Sequence, residues 1–259
     1  MNKCPMTQYE AVIETLKKLG GIATLGQLNQ EVLKIDNCSW NTKTPFASIR
    51  RIVQERPEIY RVKPGLWALE SCRHQLESNG IIVETQHNAD SKAIREFNHT
   101  YYQGLLVLLG NIDNYQTYIP PQDKNKQFLG STLSALDTLD SRMPEFTYPD
   151  IVHRTSTVDV VWFSCYGLQK DNLIPTALYE VEHSTDIQNS LLKFNDLRAF
   201  NTRMVIVADI KRFMEFSKKM SYSAFYELHE GNRVDFLDYE KLVSIYEHKV
   251  ELQHLNNNK

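Results

Sequence analysis

Two apolar runs in the second half of the chain carry carboxylates where an extended segment would be buried. They read Thr157-Val158-Asp159-Val160-Val161-Trp162-Phe163 and Ala177-Leu178-Tyr179-Glu180-Val181-Glu182. A charged side chain in such a run is costly unless something pairs with it. The strand period of two puts Glu180 and Glu182 on one face and sends Val181 into the opposite, buried face. The loop between the runs, with Gly167, Lys170, Asp171, Asn172 and Pro175, is long enough for them to pair as a hairpin, which brings Asp159 beside Glu180. Three acids on one sheet face repel one another unless a cation lies between them, and hard oxygen donors with room for water suit Mg²⁺. The plainer alternative is a pair of edge strands whose acids stand in water.

Around these runs the pattern alternates. Residues 91–110 predict a helix with Ile94, Phe97, Tyr101, Leu105, Leu108 and Leu109 on one face, and 116–119 a strand. Residues 133–139 predict a helix ended by Pro144. After the acid-bearing strands come a helix over 187–200, a strand over 204–208, a helix from Lys211, a strand over 234–237 and a helix over 239–252. This is an α/β (α+β) body over residues 91–259, preceded by a polar linker over 71–90 and a separate module over 1–70. His183 reads as a packed or hydrogen-bonded histidine, and Tyr101, Tyr102 and Tyr118 as core. Ser184 and Thr185 read as helix caps, and Lys124 and Lys126 as backbone contacts or a solvated loop.

Charge separates the two parts. The chain of 259 residues has 29 Lys+Arg against 32 Asp+Glu and 42% hydrophobic residues, too apolar for a disordered chain. Residues 1–75 hold 11 Lys+Arg against 7 Asp+Glu, whereas the remainder holds 18 against 25, so a small basic head precedes an acidic body. No run approaches the roughly 18 apolar residues of a membrane span, and the first twenty residues lack a signal-peptide core. Cysteines at 4, 38, 72 and 165 have no C-x-x-C spacing, which argues against a structural zinc and fits a reducing cytoplasm.

In the head, Thr7 reads as the N-cap of a first helix, Leu25 to Leu33 as a second, and Pro45 as the first turn of a third. Residues 59–62 and 66–69 then form a hairpin around Lys63-Pro64-Gly65. Three helices followed by a hairpin is the order of a winged helix-turn-helix. The segments "GGIATLGQLNQEV", "TPFASIRRIVQ" and "YRVKPGLWALE" resemble the HARE-HTH winged helix over about residues 5–70. That resemblance implies DNA contact through Asn41, Lys43, Thr44, Ser48, Arg51 and Lys63. The alternative is a winged helix that docks on protein, with Arg50 and Arg51 on a solvated face.

The segments "TVDVVWF" and "TALYEVEHSTDIQNSLLKFNDL" resemble the PD-(D/E)XK nuclease superfamily, over about residues 91–215. The resemblance implies a mixed sheet flanked by helices and Mg²⁺-dependent hydrolysis of DNA, with Asp159 and Glu180 as metal ligands. Glu182 stands where the superfamily usually has Lys, and implies either a ligand or a base; Lys193 is the replacement cation. Glu96 and Gln103 are the upstream-helix candidates. The implied protein is a type II restriction endonuclease acting on double-stranded DNA, with a homodimer favoured by one site per chain. A non-catalytic DNA-binding regulator with a degenerate nuclease fold is the competing expectation.

Overall fold

The computed structural model describes residues 5–89, 91–139, 142–167 and 172–257; Lys170 and Asp171 of the expected loop lie outside them. The chain forms two compact units, one of residues 1–97 with 243–259 and one of residues 98–242.

The first unit contains helix α1 (Gln8–Lys18), strand β1 (Ile22–Thr24), helices α2 (Leu25–Glu31) and α3 (Pro45–Glu55), and strands β2 (Ile59–Lys63) and β3 (Leu66–Leu69). Capping boxes start the first two helices: Thr7 with Glu10, and Thr24 with Gln27. Pro45 opens α3 as expected. The strands form an antiparallel sheet in the order β1-β3-β2, and Gly65 turns β2 into β3 at φ +70. Ala11, Val12, Leu16, Leu28, Ile49 and Val53 form the core beneath that sheet. The segment read as a linker is partly ordered: a 3₁₀ turn at Glu70–Cys72 leads into helix α4 (Arg73–Ser78), anchored by buried Leu76. One apolar side chain among polar neighbours is too weak a periodic signal to show this helix in the sequence.

Helix α5 (Lys92–Ile112) runs from the first unit into the second, where strands β4 (Gln116–Tyr118), β5 (Gln127–Phe128) and β6 (Ser131–Thr132) follow. Next come helix α6 (Pro149–Thr155), strands β7 (Val160–Cys165) and β8 (Leu173–Glu182), helix α7 (Ile187–Asp196) and strand β9 (Arg203–Ala208). Helices α8 (Phe213–Met220) and α9 (Tyr226–Glu230), strand β10 (Val234–Asp238) and helix α10 (Tyr239–Asn257) complete the chain. The expected helix at 133–139 is only a 3₁₀ turn at Leu133–Ala135.

The main sheet has the order β10-β9-β8-β7-β4, with β8 at its centre. Strand β8 pairs antiparallel with β7 and parallel with β9, and β9 is parallel to β10. Both faces are covered. Val161, Phe163, Leu178, Met204 and Ile206 pack with Ile187, Leu191 and Phe194 of α7 and with Phe216 of α8. On the other side Trp162 donates to the carbonyl of Leu106 in α5 at 3.1 Å. A strand buried on both sides reads as a continuous apolar run, which is the pattern of β7 and β8.

The expected hairpin pairing holds, with two changes. Asp159 lies one residue before β7 rather than within it, and Pro175 lies inside β8, opposite Phe163 where the register shifts. Proline has no N–H to give a ladder, so the irregularity falls where the sheet can accept it. No described helix is long and apolar enough to cross a membrane.

Candidate active site

The two acidic segments meet at one end of the β7–β8 ladder. Val160 faces Tyr179, so the next step along the pair sets Asp159 beside Glu180. Neither strand is at an edge, and Glu180 and Glu182 are 2% and 4% exposed. The edge-strand alternative, with acids in water, is therefore excluded. Buried carboxylates need partners, and each one's can be traced.

Glu180 shares the face of Leu178, which looks onto α7. From that helix Lys193 places its ammonium 2.9 Å from both carboxylate oxygens, and the Ser190 hydroxyl stands 3.0 Å from Oε2. Residues 190 and 193 are three apart and so share one side of the helix. Lys193 also donates to the main-chain oxygen of Thr157 at 2.9 Å. Asp186 starts α7 by accepting from the amide of Gln188 at 2.9 Å. It takes the capping role expected of Ser184 and Thr185.

Asp159 is held through one oxygen. Its Oδ2 accepts from the Val181 amide at 2.8 Å and lies 3.2 Å from Nε2 of His99 on α5. One turn further along α5, the buried Gln103 donates to the main-chain oxygen of Asp159 at 2.8 Å and to Asp123 at 3.0 Å. Asp123 is paired in turn with Lys126 at 2.6 Å, and Lys124 with Asp137 at 3.1 Å, so neither lysine is part of a free loop. Of the two upstream-helix candidates Gln103 reaches Asp159, whereas Glu96 is exposed and pairs with Lys92 at 3.6 Å. His99 is the residue that sequence reasoning missed. Its signal was the i, i+4 spacing to Gln103, which puts both on one face of α5.

Glu182, expected as a ligand or a base, is buried with its two oxygens bound by the hydroxyls of Thr185 and Ser190. Arg212 donates to its carbonyl at 3.0 Å. Among the described residues no three His, Cys, Asp or Glu side chains converge to hold a metal ion. The Asp159 and Glu180 pair still suits a hard cation. The two carboxylates are cross-strand neighbours, Asp159 Oδ1 has no hydrogen bond among the described residues, and Mg²⁺ characteristically keeps several waters around one or two carboxylates.

Burial, then the charge of Asp159, pushes the Glu180 carboxyl up to about 8, although Lys193 pulls it down. Burial acts the same way on Asp159, but His99, the Val181 amide and Lys193 outweigh it and hold that carboxyl below its ordinary value. Folded Glu180 therefore keeps a proton that the unfolded chain releases near pH 4.5. Its contribution to stability is full below that pH and is lost as pH rises through about 8. In EDTA, the urea midpoint of the protein is expected to fall between pH 6 and pH 9. Glu180→Gln, which cannot ionise, should flatten that fall; an equally steep fall in the variant would refute the assignment.

In the first unit the expected DNA contacts separate into two sets. Asn41, Lys43, Thr44 and Arg51 are exposed at or beside α3, and Ser48 is half-buried. Lys63 is not available: its ammonium is buried, 3.1 Å from Glu84 and 5.6 Å from the centre of the Phe97 ring. Arg50 is paired with Glu247 at 3.0 Å.

Residues 82–258, more than half of the chain, match the family described as Type II restriction enzyme NmeDI C-terminal domain. The chain belongs to that family. No curated protein and no solved structure gives a match. The NmeDI C-terminal domain family is one of type II restriction enzymes, which makes this chain a restriction endonuclease, a hydrolase of the restriction-modification kind that acts on DNA. The match contains the whole acidic site, from His99 to Arg212, and leaves residues 1–81, with the three-helix and hairpin module, outside it.

Proposed function

We propose that the chain is a Mg²⁺-dependent restriction endodeoxyribonuclease of the PD-(D/E)XK kind, assisted in DNA recognition by an N-terminal winged helix and acting as a homodimer. The observation that carries the reading is the lysine of α7 seated on the buried glutamate of β8, with Asp159 beside it just before β7. Lys193 would take the part of the lysine in the superfamily's Glu-x-Lys, although it comes from the next helix. Asp159 and Glu180 would hold the ion. Held by these two carboxylates, Mg²⁺ would polarise the scissile phosphate and would lower the pKa of an attacking water. Lys193 keeps positive charge beside the carboxylates, where it offsets the charge that grows on the phosphate. Glu182 braces the site through Thr185, Ser190 and Arg212 rather than binding the ion. Two copies related by a two-fold axis would present one site to each strand of a palindromic sequence.

The test is digestion of methylated and unmethylated plasmid with Mg²⁺ or with EDTA, by the wild type and by Asp159→Asn. Discrete Mg²⁺-dependent bands that vanish in Asp159→Asn are expected. A second reading, the non-catalytic regulator, is favoured by one observation: the oxygens of Glu180 and Glu182 already have protein partners. Salt-sensitive DNA binding without cleavage of either plasmid would establish that reading instead.

The recognition module makes its own prediction. Lys43→Ala and Arg51→Ala should each reduce the slope of log K against log salt by about 1, the signature of one lost phosphate contact. Lys63→Met should leave the slope unchanged, because that ammonium is committed to Glu84. A slope that changes for Lys63 and not for Arg51 would reverse the assignment.

A further inference from the structure

Asp159 precedes β7 and so lies outside the ladder that fixes its neighbours. Strand pairing cannot orient its carboxylate; groups from other elements must. Both hydrogen bonds recorded for the carboxylate end on Oδ2, one from the Val181 amide and one shared with Nε2 of His99. Gln103, on the same side of α5 as His99, holds the main-chain oxygen of the same residue. The side chain of Asp159 is 15% exposed, and Oδ1 has no hydrogen bond among the described residues.

The imidazole is poorly placed for any other purpose. Its Nδ1 is buried and has no hydrogen-bond partner among the described residues, so its one hydrogen bond is the one to Asp159. A buried ring nitrogen without a partner costs free energy that an apolar side chain in the same space would not incur. A histidine there is explained by what Nε2 does for the carboxylate.

We infer that His99 is a positioning residue: with the Val181 amide it ties Oδ2 inward and turns Oδ1 of Asp159 toward a divalent cation. The inference rests on the metal-dependent reading above. Groups that orient a ligating carboxylate typically contribute 10- to 100-fold to metal affinity. Glutamine can offer its Nε2 from nearly the same place as the imidazole; leucine fills the space and offers nothing.

The experiment is Mn²⁺ titration of the full chain, followed by electron paramagnetic resonance of the free ion, for the wild type, Asp159→Asn, His99→Gln and His99→Leu. Urea midpoints in EDTA and the Mg²⁺ concentration for half-maximal plasmid cleavage are measured on the same proteins. His99→Leu should raise the Mn²⁺ Kd about 10- to 100-fold, as loss of an orienting partner does, with His99→Gln restored toward the wild type. The half-maximal Mg²⁺ concentration for His99→Leu should rise in parallel, with cleavage recovered at saturating Mg²⁺. If Asp159→Asn weakens Mn²⁺ binding and His99→Leu does not, the inference fails and the metal site stands. If Asp159→Asn binds as the wild type does, the metal site itself fails and the inference with it. Equal loss of affinity and of urea midpoint in both His99 variants would assign the ring to folding alone and overturn its positioning part.

Discussion

Lys193→Met is expected to lower Mg²⁺-dependent plasmid cleavage about 10²- to 10³-fold at saturating DNA, the loss typical of removing one charge-stabilising group from a buried site. The ammonium has three acceptors at 2.9 Å, two on Glu180 and one on Thr157, so its position is fixed by β8 and by the approach to β7. Without it Glu180 faces Asp159 and Glu182, and the carboxyl, already raised by burial, takes its proton at still higher pH. The residual activity should therefore rise toward alkaline pH, where the wild type has levelled off. Near pH 6, where Glu180 is protonated with or without the lysine, the urea midpoint should change little, and at pH 9 it should fall more. A variant that cleaves at the wild-type rate would remove Lys193 from the mechanism and return the role of cation to a residue still to be found.

Phe194→Ala is expected to destabilise the protein by about 3–5 kcal/mol, the usual cost of emptying a fully buried phenylalanine site. The ring follows Lys193 directly on α7 and is fully buried among Val161, Phe163, Leu178 and Met204. It anchors the helix that presents Ser190 and Lys193 to the sheet. The variant should unfold at lower urea with an unchanged m value. If the loss of stability were less than about 0.5 kcal/mol, within the range of ordinary surface substitutions, the packing of α7 on the sheet would have to be revised.

The legible parts of the fold were those written locally. Thr7, Pro45 and Gly65 announce two helix starts and a turn through their own chemistry, and the apolar runs of β7, β8 and β9 announce buried strands. The meeting of Asp159, Glu180 and Lys193 could be anticipated because a charge in an apolar run, and a lysine one helix downstream, are visible in one dimension. The hydroxyl partners of Glu182 were not, because Thr185 and Ser190 are common residues whose role depends on which way α7 turns. Lys63 failed for a related reason: a lysine in a hairpin reads as exposed until Glu84 and Phe97 are known to lie beside it. His99 was marked only by its i, i+4 spacing to Gln103, and became legible through Asp159, which its ring faces.

The parallel pairing of β8 with β9 also sets an order in time. Parallel neighbours need a crossover, here through α7, so Glu180 meets Ser190 and Lys193 only once that crossover has closed. Asp159 in turn depends on His99, sixty residues earlier in the chain. A ribosome that has just added Glu182 has made every acid of the site, but has not yet made the helix that neutralises them or the strand that locks β8 in place. The growing polypeptide therefore carries no assembled acidic site until α7 and β9 have been made and have docked on β8.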